Sequence, residues 1–215
     1  MSTPDFTELR RQMVTGQIVS RGITDKRVIK TLLSVERHKF VPEGSMHLAY
    51  EDYPLSIGEG QFISQPYIVA LMTELLALKG NEKILEIGTG SGYQAAVLSR
   101  LCRHVYTVEI NSTLANRVEK LLKSIGYNNI SARCADGYSG WQEHAPYDRI
   151  IITCAPEQVP EKLMEQLADS GLLAAPVGSD SQELKLIQKK AGGISEKNII
   201  PVRFVPMVHK AEPEY

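Results

Sequence analysis

The chain has 215 residues, of which 43% are hydrophobic and 23% charged, and its formal net charge is −1. That is the balance of a globular chain able to bury one sizeable core, and it supplies no positive field to draw the chain onto nucleic acid or an anionic membrane. No run of about 18 apolar residues is available to cross a bilayer. The N-terminal residues carry no basic-then-apolar secretory pattern, so a cytoplasmic location is expected.

The first eighty residues read as helices and loops ahead of an α/β core, the whole forming a single domain over residues 1–215. Phe6, Leu9, Met13 and Ile18 give a loose helical spacing from Phe6 to about Ser20. Thr24 reads as the N-cap of a helix through Leu33. From Tyr50 to Gln65, Pro54, Gly58 and Gly60 interrupt the pattern, which predicts a loop. A helix should then start at Pro66, a residue suited to the first helical position, and run to about Leu78.

From residue 81 strand and helix alternate. Strands are expected at Ile84–Ile87, Val105–Glu109, Ile130–Arg133, Tyr147–Thr153 and Leu172–Ala175. Helices are expected at Tyr93–Leu101, Asn111–Ile125 and Pro160–Leu167. Alternation of this kind predicts a mainly parallel sheet with helices on both faces. Two further strands, Leu184–Gln188 and Ile199–Val205, should form a hairpin around Gly192-Gly193 and add an antiparallel edge.

The strongest local signal is Glu86-Ile87-Gly88-Thr89-Gly90-Ser91-Gly92-Tyr93, placed after a strand and before a helix. Glycines there let the chain turn tightly and let a ligand approach the backbone. A dinucleotide fingerprint requires G-x-G-x-x-G, but the third glycine falls one residue early and Tyr93 takes its place. Glu86, near the ligand end of its strand, suits a cationic ligand better than a pyrophosphate. Glu109, at the end of the next strand, can accept both hydroxyls of a ribose. S-Adenosylmethionine has a sulfonium, an ammonium and no phosphate. The segment resembles the E/D-x-G-x-G-x-G motif of S-adenosylmethionine-dependent methyltransferases with a Rossmann-like fold. That resemblance implies cofactor contacts from Glu86, Gly88, Thr89, Gly90, Gly92, Glu109 and Ile110. It also implies that Asp136, beside Gly137, reads the adenine amino group; the alternative for this pair is an ordinary Asp-Gly turn.

The acceptor is narrowed by what is missing. After the fourth core strand stands Thr153-Cys154-Ala155-Pro156, not the N/D-P-P-Y/F of exocyclic-amine methyltransferases. Cys154 does not follow proline, as a pyrimidine-carbon nucleophile would. None of the five histidines has spacing that suggests a metal site or a triad, and the three cysteines, Cys102, Cys134 and Cys154, form no C-x-x-C pair. An acceptor that is already nucleophilic remains, and a carboxylate needs no general base at neutral pH.

Further segments resemble the protein-L-isoaspartate O-methyltransferase family across nearly the whole chain. Gly60-Gln61-Phe62-Ile63-Ser64-Gln65-Pro66 is similar to its G-Q-T-I-S-Q-P, and Val202-Arg203-Phe204-Val205-Pro206-Met207 to its R-F-V-P-L segment. Arg11–Val14 and Arg37–Pro42 also resemble its N-terminal region. One position departs: Phe62 stands where the family usually has threonine.

The resemblance implies that the α-carboxylate of an L-isoaspartyl residue in a damaged peptide attacks the sulfonium methyl group. The products are a methyl ester and S-adenosylhomocysteine, and the ester closes to a succinimide on the way back to aspartate. Ser64 would orient the acceptor carboxylate, with Phe62, Ile63 and Val205 along the bound substrate chain. No metal, nucleic acid or membrane partner is expected. Ser64 also has a purely structural reading, as a cap on the Pro66 helix. Two alternatives to the assigned reaction stay open: a small-molecule carboxyl or O-methyltransferase on the same fold, and a cofactor-binding protein in which Phe62 blocks the acceptor.

Overall fold

A computed structural model describes residues 4–209. Helix α1 (Phe6–Met13) starts on Asp5, whose carboxylate accepts from the Thr7 and Glu8 N–H groups. It continues as a wider turn over Val14–Ile18 and a tighter one over Val19–Arg21, closed by Gly22 at φ +94°. Helix α2 (Lys26–Ser34) is capped by Asp25 and not by Thr24. The Asp25 carboxylate reaches the Arg27 and Val28 N–H groups, while the Thr24 N–H is held by Glu74.

The segment read as a loop contains a hairpin, β1 (Leu55–Gly58) and β2 (Gln61–Ile63), paired antiparallel. The glycines taken as breakers make its turn. Gly58 pairs with Gln61, and the two residues between them, Glu59 and Gly60, both have positive φ, +54° and +66°. That turn matches the twist of the flanking strands. Leu55, Ile57 and Ile63 face the core, and Phe62 stands outward, paired across from Ser56. Helix α3 (Pro66–Leu75) follows with Pro66 in its first turn, and it stops three residues short of Leu78.

The core alternates β3 (Lys83–Ile87), α4 (Tyr93–Ser99), β4 (His104–Glu109), α5 (Ser112–Ser124), β5 (Ile130–Cys134), β6 (Tyr147–Ile152), α6 (Glu161–Gln166), β7 (Leu167–Val177), β8 (Gln182–Lys190) and β9 (Gly193–Val202). The seven-stranded sheet has the order β5-β4-β3-β6-β7-β8-β9. The first five strands in that order are parallel, and β8 and β9 are antiparallel additions. Both faces are covered, which is why the central strands are continuously apolar. Along β6, Ile151 joins the cluster beneath α3 and α4, while Ile150 and Ile152 join the one that includes Leu163 of α6.

Two strands depart from the sequence reading. β7 begins at Leu167, directly after α6, because Asp169-Ser170-Gly171 continues the strand through an irregular step opposite Tyr147 and Arg149. β9 spans Gly193–Val202 rather than Ile199–Val205, and its turn is Ala191-Gly192. As an edge strand it tolerates the polar run Ser195–Asn198, and Lys185 pairs with Glu196 across it at 2.5 Å. Val205–Met207 leaves the sheet: Ala155 N–H donates to the Val205 carbonyl and Met207 N–H to the Ala155 carbonyl, both at 2.8 Å.

The chain moves from β3 outward through β4 to β5, then crosses to β6 on the other side. Ligands of such sheets bind at this switch, outside the carboxyl ends of the strands. Gly92, at the entry to α4, has φ +83°, and a Cβ there would lie 2.6 Å from Val118 Cγ1 of α5. Gly92→Ala should therefore cost about 2 kcal/mol or more in denaturant unfolding, from backbone strain and overpacking together. Val118→Ala in the same chain should recover only the packing part; a fully additive double-mutant cycle would show that the two residues do not meet.

Candidate active site

The carboxyl ends of β3, β4 and β6, the β2 hairpin strand and the segment after β9 enclose a cleft of about 900 Å³, including its open mouth.

Three of its walls come from residues that stand out in the sequence. The loop after β3 carries Gly88 and Gly90 at φ +94° and +52°. A Cβ on Gly88 would lie 2.6 Å from Thr153 Oγ1. That hydroxyl donates to the carbonyls of Gly88 at 2.5 Å and Ile87 at 3.0 Å, fastening the loop to the end of β6. Glu109 closes β4. One of its oxygens accepts the Gly90 N–H at 2.8 Å and the other the Asn111 N–H at 2.9 Å. Its neighbour Ile110 lines the cleft too, as does Gly137, where a Cβ would strike Ile87 at 2.5 Å.

The opposite wall is the segment Phe62-Ile63-Ser64, with Val205 reaching in from the C-terminal side. Ile63 is buried and Phe62 is half exposed. The helix that follows takes Gln65 as its N-cap, with no side-chain cap bond, so Ser64 does not cap it. The structure thus brings the glycine loop, Glu109, Ile63, Ser64 and Val205 around one space.

The sequence model of the family described as protein-L-isoaspartate(D-aspartate) O-methyltransferase matches residues 8–212. The chain belongs to that family. The Shewanella sediminis protein-L-isoaspartate O-methyltransferase 2 is 51% identical over 208 residues, covering 96% of this chain and 85% of the relative. A solved protein-L-isoaspartate O-methyltransferase superposes with a TM-score of 0.85 at 28% identity, covering 94% of this chain and 66% of that one. A Plasmodium falciparum structure ascribed to the same activity, in complex with S-adenosyl-L-homocysteine, gives a TM-score of 0.81 at 25% identity, covering 97% and 100%. The protein is an isoaspartyl repair methyltransferase on a Rossmann-like fold.

One of the acids expected at the cofactor, Glu86, lies away from the cleft surface of this methyltransferase. Glu86 is fully buried, behind Thr107 and Thr89. The Thr107 hydroxyl donates to Glu86 Oε2 at 2.5 Å and bonds the Thr89 hydroxyl at 2.6 Å; Thr89 lines the cleft. Glu86 Oε1 has no partner among the described residues. Burial pushes the Glu86 carboxyl up to about 8, the Thr107 bond pulls it down and the charge of Glu109 adds to the rise. Asp136 caps the turn Gly137–Ser139, accepting the Tyr138 N–H at 2.9 Å, and its other oxygen lies 3.1 Å from His209 Nδ1. Asp136 thereby starts the turn that brings Gly137 to the cleft.

Thr107, Thr153 and Cys154 carry no signal in the sequence that marks them for the site. A threonine in a strand reads as a β-branched strand residue, and only the pairing of β3 with β4 and β6 brings these hydroxyls under the loop. Cys154 lines the cleft, and burial pushes its thiol up to about 12, so it is a neutral wall and not a thiolate. Among the described residues no group of three or more His, Cys, Asp or Glu could hold a metal ion.

The raised Glu86 pKa makes a stability prediction for the ligand-free protein. The folded state holds this proton more tightly than the unfolded chain does, so its contribution is fully present below the ordinary value of 4.5 and is lost as pH rises towards 8. At about 1.4 kcal/mol for each pH unit, the loss amounts to several kcal/mol. Glu86→Gln keeps an acceptor for Thr107 and cannot ionise. Its melting temperature should gain on the native protein between pH 5.5 and pH 8.5, and parallel pH profiles would refute the assignment.

Proposed function

We propose that this methyltransferase uses S-adenosylmethionine, held by the glycine loop and Glu109, to methylate the free α-carboxylate of L-isoaspartyl residues, with Ser64 orienting that carboxylate. The observation that carries the reading is the meeting of two separate segments in one cleft: the loop Gly88–Gly92 and the segment Phe62–Ser64.

The residues fit the cofactor. Glu109 spends one lone pair of each oxygen on a backbone N–H, and each oxygen has a further acceptor site for a ribose hydroxyl. The positive φ values of Gly88 and Gly90 leave backbone rather than side chain facing the ligand. Gly137 and Ile110 flank the adenine end, where Asp136 would meet the exocyclic amino group, and Thr89 offers a hydroxyl backed by Thr107 and Glu86. When bound, S-adenosylmethionine supplies a methyl group on a cationic sulfur.

The chain's own task is then positional. The acceptor is an anion at neutral pH and needs no base. Ser64 donates one hydrogen bond and fixes the attacking oxygen. Ile63, Val205 and the neutral Cys154 exclude water from a reaction in which opposite charges cancel. The backbone around Ile63 and Val205 lies where the substrate chain would pass. The three cysteines are free thiols, which suits the reducing cytoplasm proposed for the protein.

The decisive assay compares a short isoaspartyl peptide with its normal aspartyl twin: methyl ester should form on the first only. Equal labelling of both, or labelling of small free acids alone, would overturn the reading.

Ser64→Ala should slow single-turnover methylation about ten- to hundredfold, the loss of one hydrogen bond to a charged group. Cofactor affinity and melting temperature should change little, since Ser64 caps no helix. Unchanged single-turnover kinetics would remove Ser64 from the reaction and leave the cofactor assignment standing.

A further inference from the structure

Six large apolar side chains are prominently exposed among the described residues, and two of them, Phe62 at 51% and Val208 at 55%, line the cleft. Phe62 does not pack the hairpin. Leu55, Ile57 and Ile63 turn inward, and the ring stands on the outer face opposite Ser56. Phe62 lines the cleft and its side chain is half exposed, so a chain bound in the cleft can reach it.

Resting on the reading above, we propose that Phe62 is a specificity-determining residue: its ring receives an apolar or aromatic side chain adjacent to the isoaspartyl residue in the substrate. The acceptor sits within a chain, so its neighbours must cross the rim when its carboxylate is at Ser64. The preceding residue's Cα lies about 3.8 Å from that of the acceptor, the fixed trans spacing, and the following one lies one methylene further, because the chain there runs through the acceptor's side-chain carboxyl. Phe62 is two positions before Ser64, at most about 7 Å along an extended strand. A flanking side chain therefore falls within reach of the ring, and Val208 adds apolar surface to the same cleft from the C-terminal segment. Contact with a flanking residue is made equally before and during methyl transfer, so it acts on KM and leaves kcat nearly unchanged.

The test uses isoaspartyl peptides identical except for phenylalanine or serine at the position before or after the acceptor. The native protein should favour phenylalanine at one of these positions by about three- to tenfold in kcat/KM, the worth of one aromatic contact. F62T, which puts a β-branched strand former in its place, should bring that ratio close to one. F62Y keeps the ring and should preserve it. Because each ratio compares two peptides on the same variant, partial loss of folding cancels. A native ratio near one at both positions, or a ratio that F62T leaves unchanged, overturns the proposal while leaving isoaspartyl methylation in place. Failure to methylate any of these peptides would instead remove the underlying reaction and this inference with it.

Discussion

The two hydrogen bonds accepted by Glu109 tie three parts of the cleft together. Through Gly90 they hold the loop after β3, and through Asn111 they hold the start of α5. The Asn111 side chain in turn accepts from the Leu114 N–H and caps that helix. α5 packs Val118 against Gly92 at the other end of the loop. The loop is therefore bounded by one carboxylate and one methyl group, both belonging to the β4–α5 unit. A residue larger than glycine at position 92 meets that methyl group, and a residue without a carboxylate at 109 releases the Gly90 N–H. The local fold around the glycine loop thus rests on the acid proposed to meet the ligand, so changing it would act on both.

Thr153 performs the corresponding task from β6. Its hydroxyl reaches two carbonyls at the β3–loop junction, and its backbone N–H donates to one of them, that of Ile87, at 2.9 Å. The C-terminal segment is fastened beside it through Ala155, which exchanges bonds with Val205 and Met207. The end of β6 consequently sets both the depth of the glycine loop and the position of the segment that covers it. The hairpin of β1 and β2 approaches from the other side, where the Phe62 carbonyl comes within 3.9 Å of the point a Gly90 side chain would occupy.

Apolar runs were sufficient to place β3, β4 and β6 and the helices α4 and α5, because strands buried on both faces carry an unbroken signal. The same rule missed β1 and β2. These strands are short, and the residues that shape their turn, Gly58 to Gly60, are the ones that argue for a loop when no partner strand is known. β9 was misplaced for the opposite reason: an edge strand needs little apolar content, so Ser195 to Asn198 gave no sign of pairing. At the site, the glycine spacing and the two acids were legible because packing alone rarely calls for three alternate glycines, or for a carboxylate at the end of a buried strand. Which acid reaches the cleft was not. Glu86 and Glu109 both place a carboxylate near a strand terminus, and only the register of β3 against β4 puts Glu86 opposite Thr107 and beneath the surface.

That difference in depth gives the two acids different work. Glu109 accepts two backbone N–H groups at the surface of the cleft; Glu86 accepts one hydroxyl, leaves an oxygen unmatched and is pushed up to about 8 partly by Glu109's own charge. A Glu86 that keeps its proton at neutral pH adds no second negative charge beneath the glycine loop. It still completes the hydroxyl chain through Thr107 to Thr89, since a protonated carboxyl retains an oxygen able to accept. Burial thus keeps Glu86 from adding charge beneath the loop that Glu109 fastens.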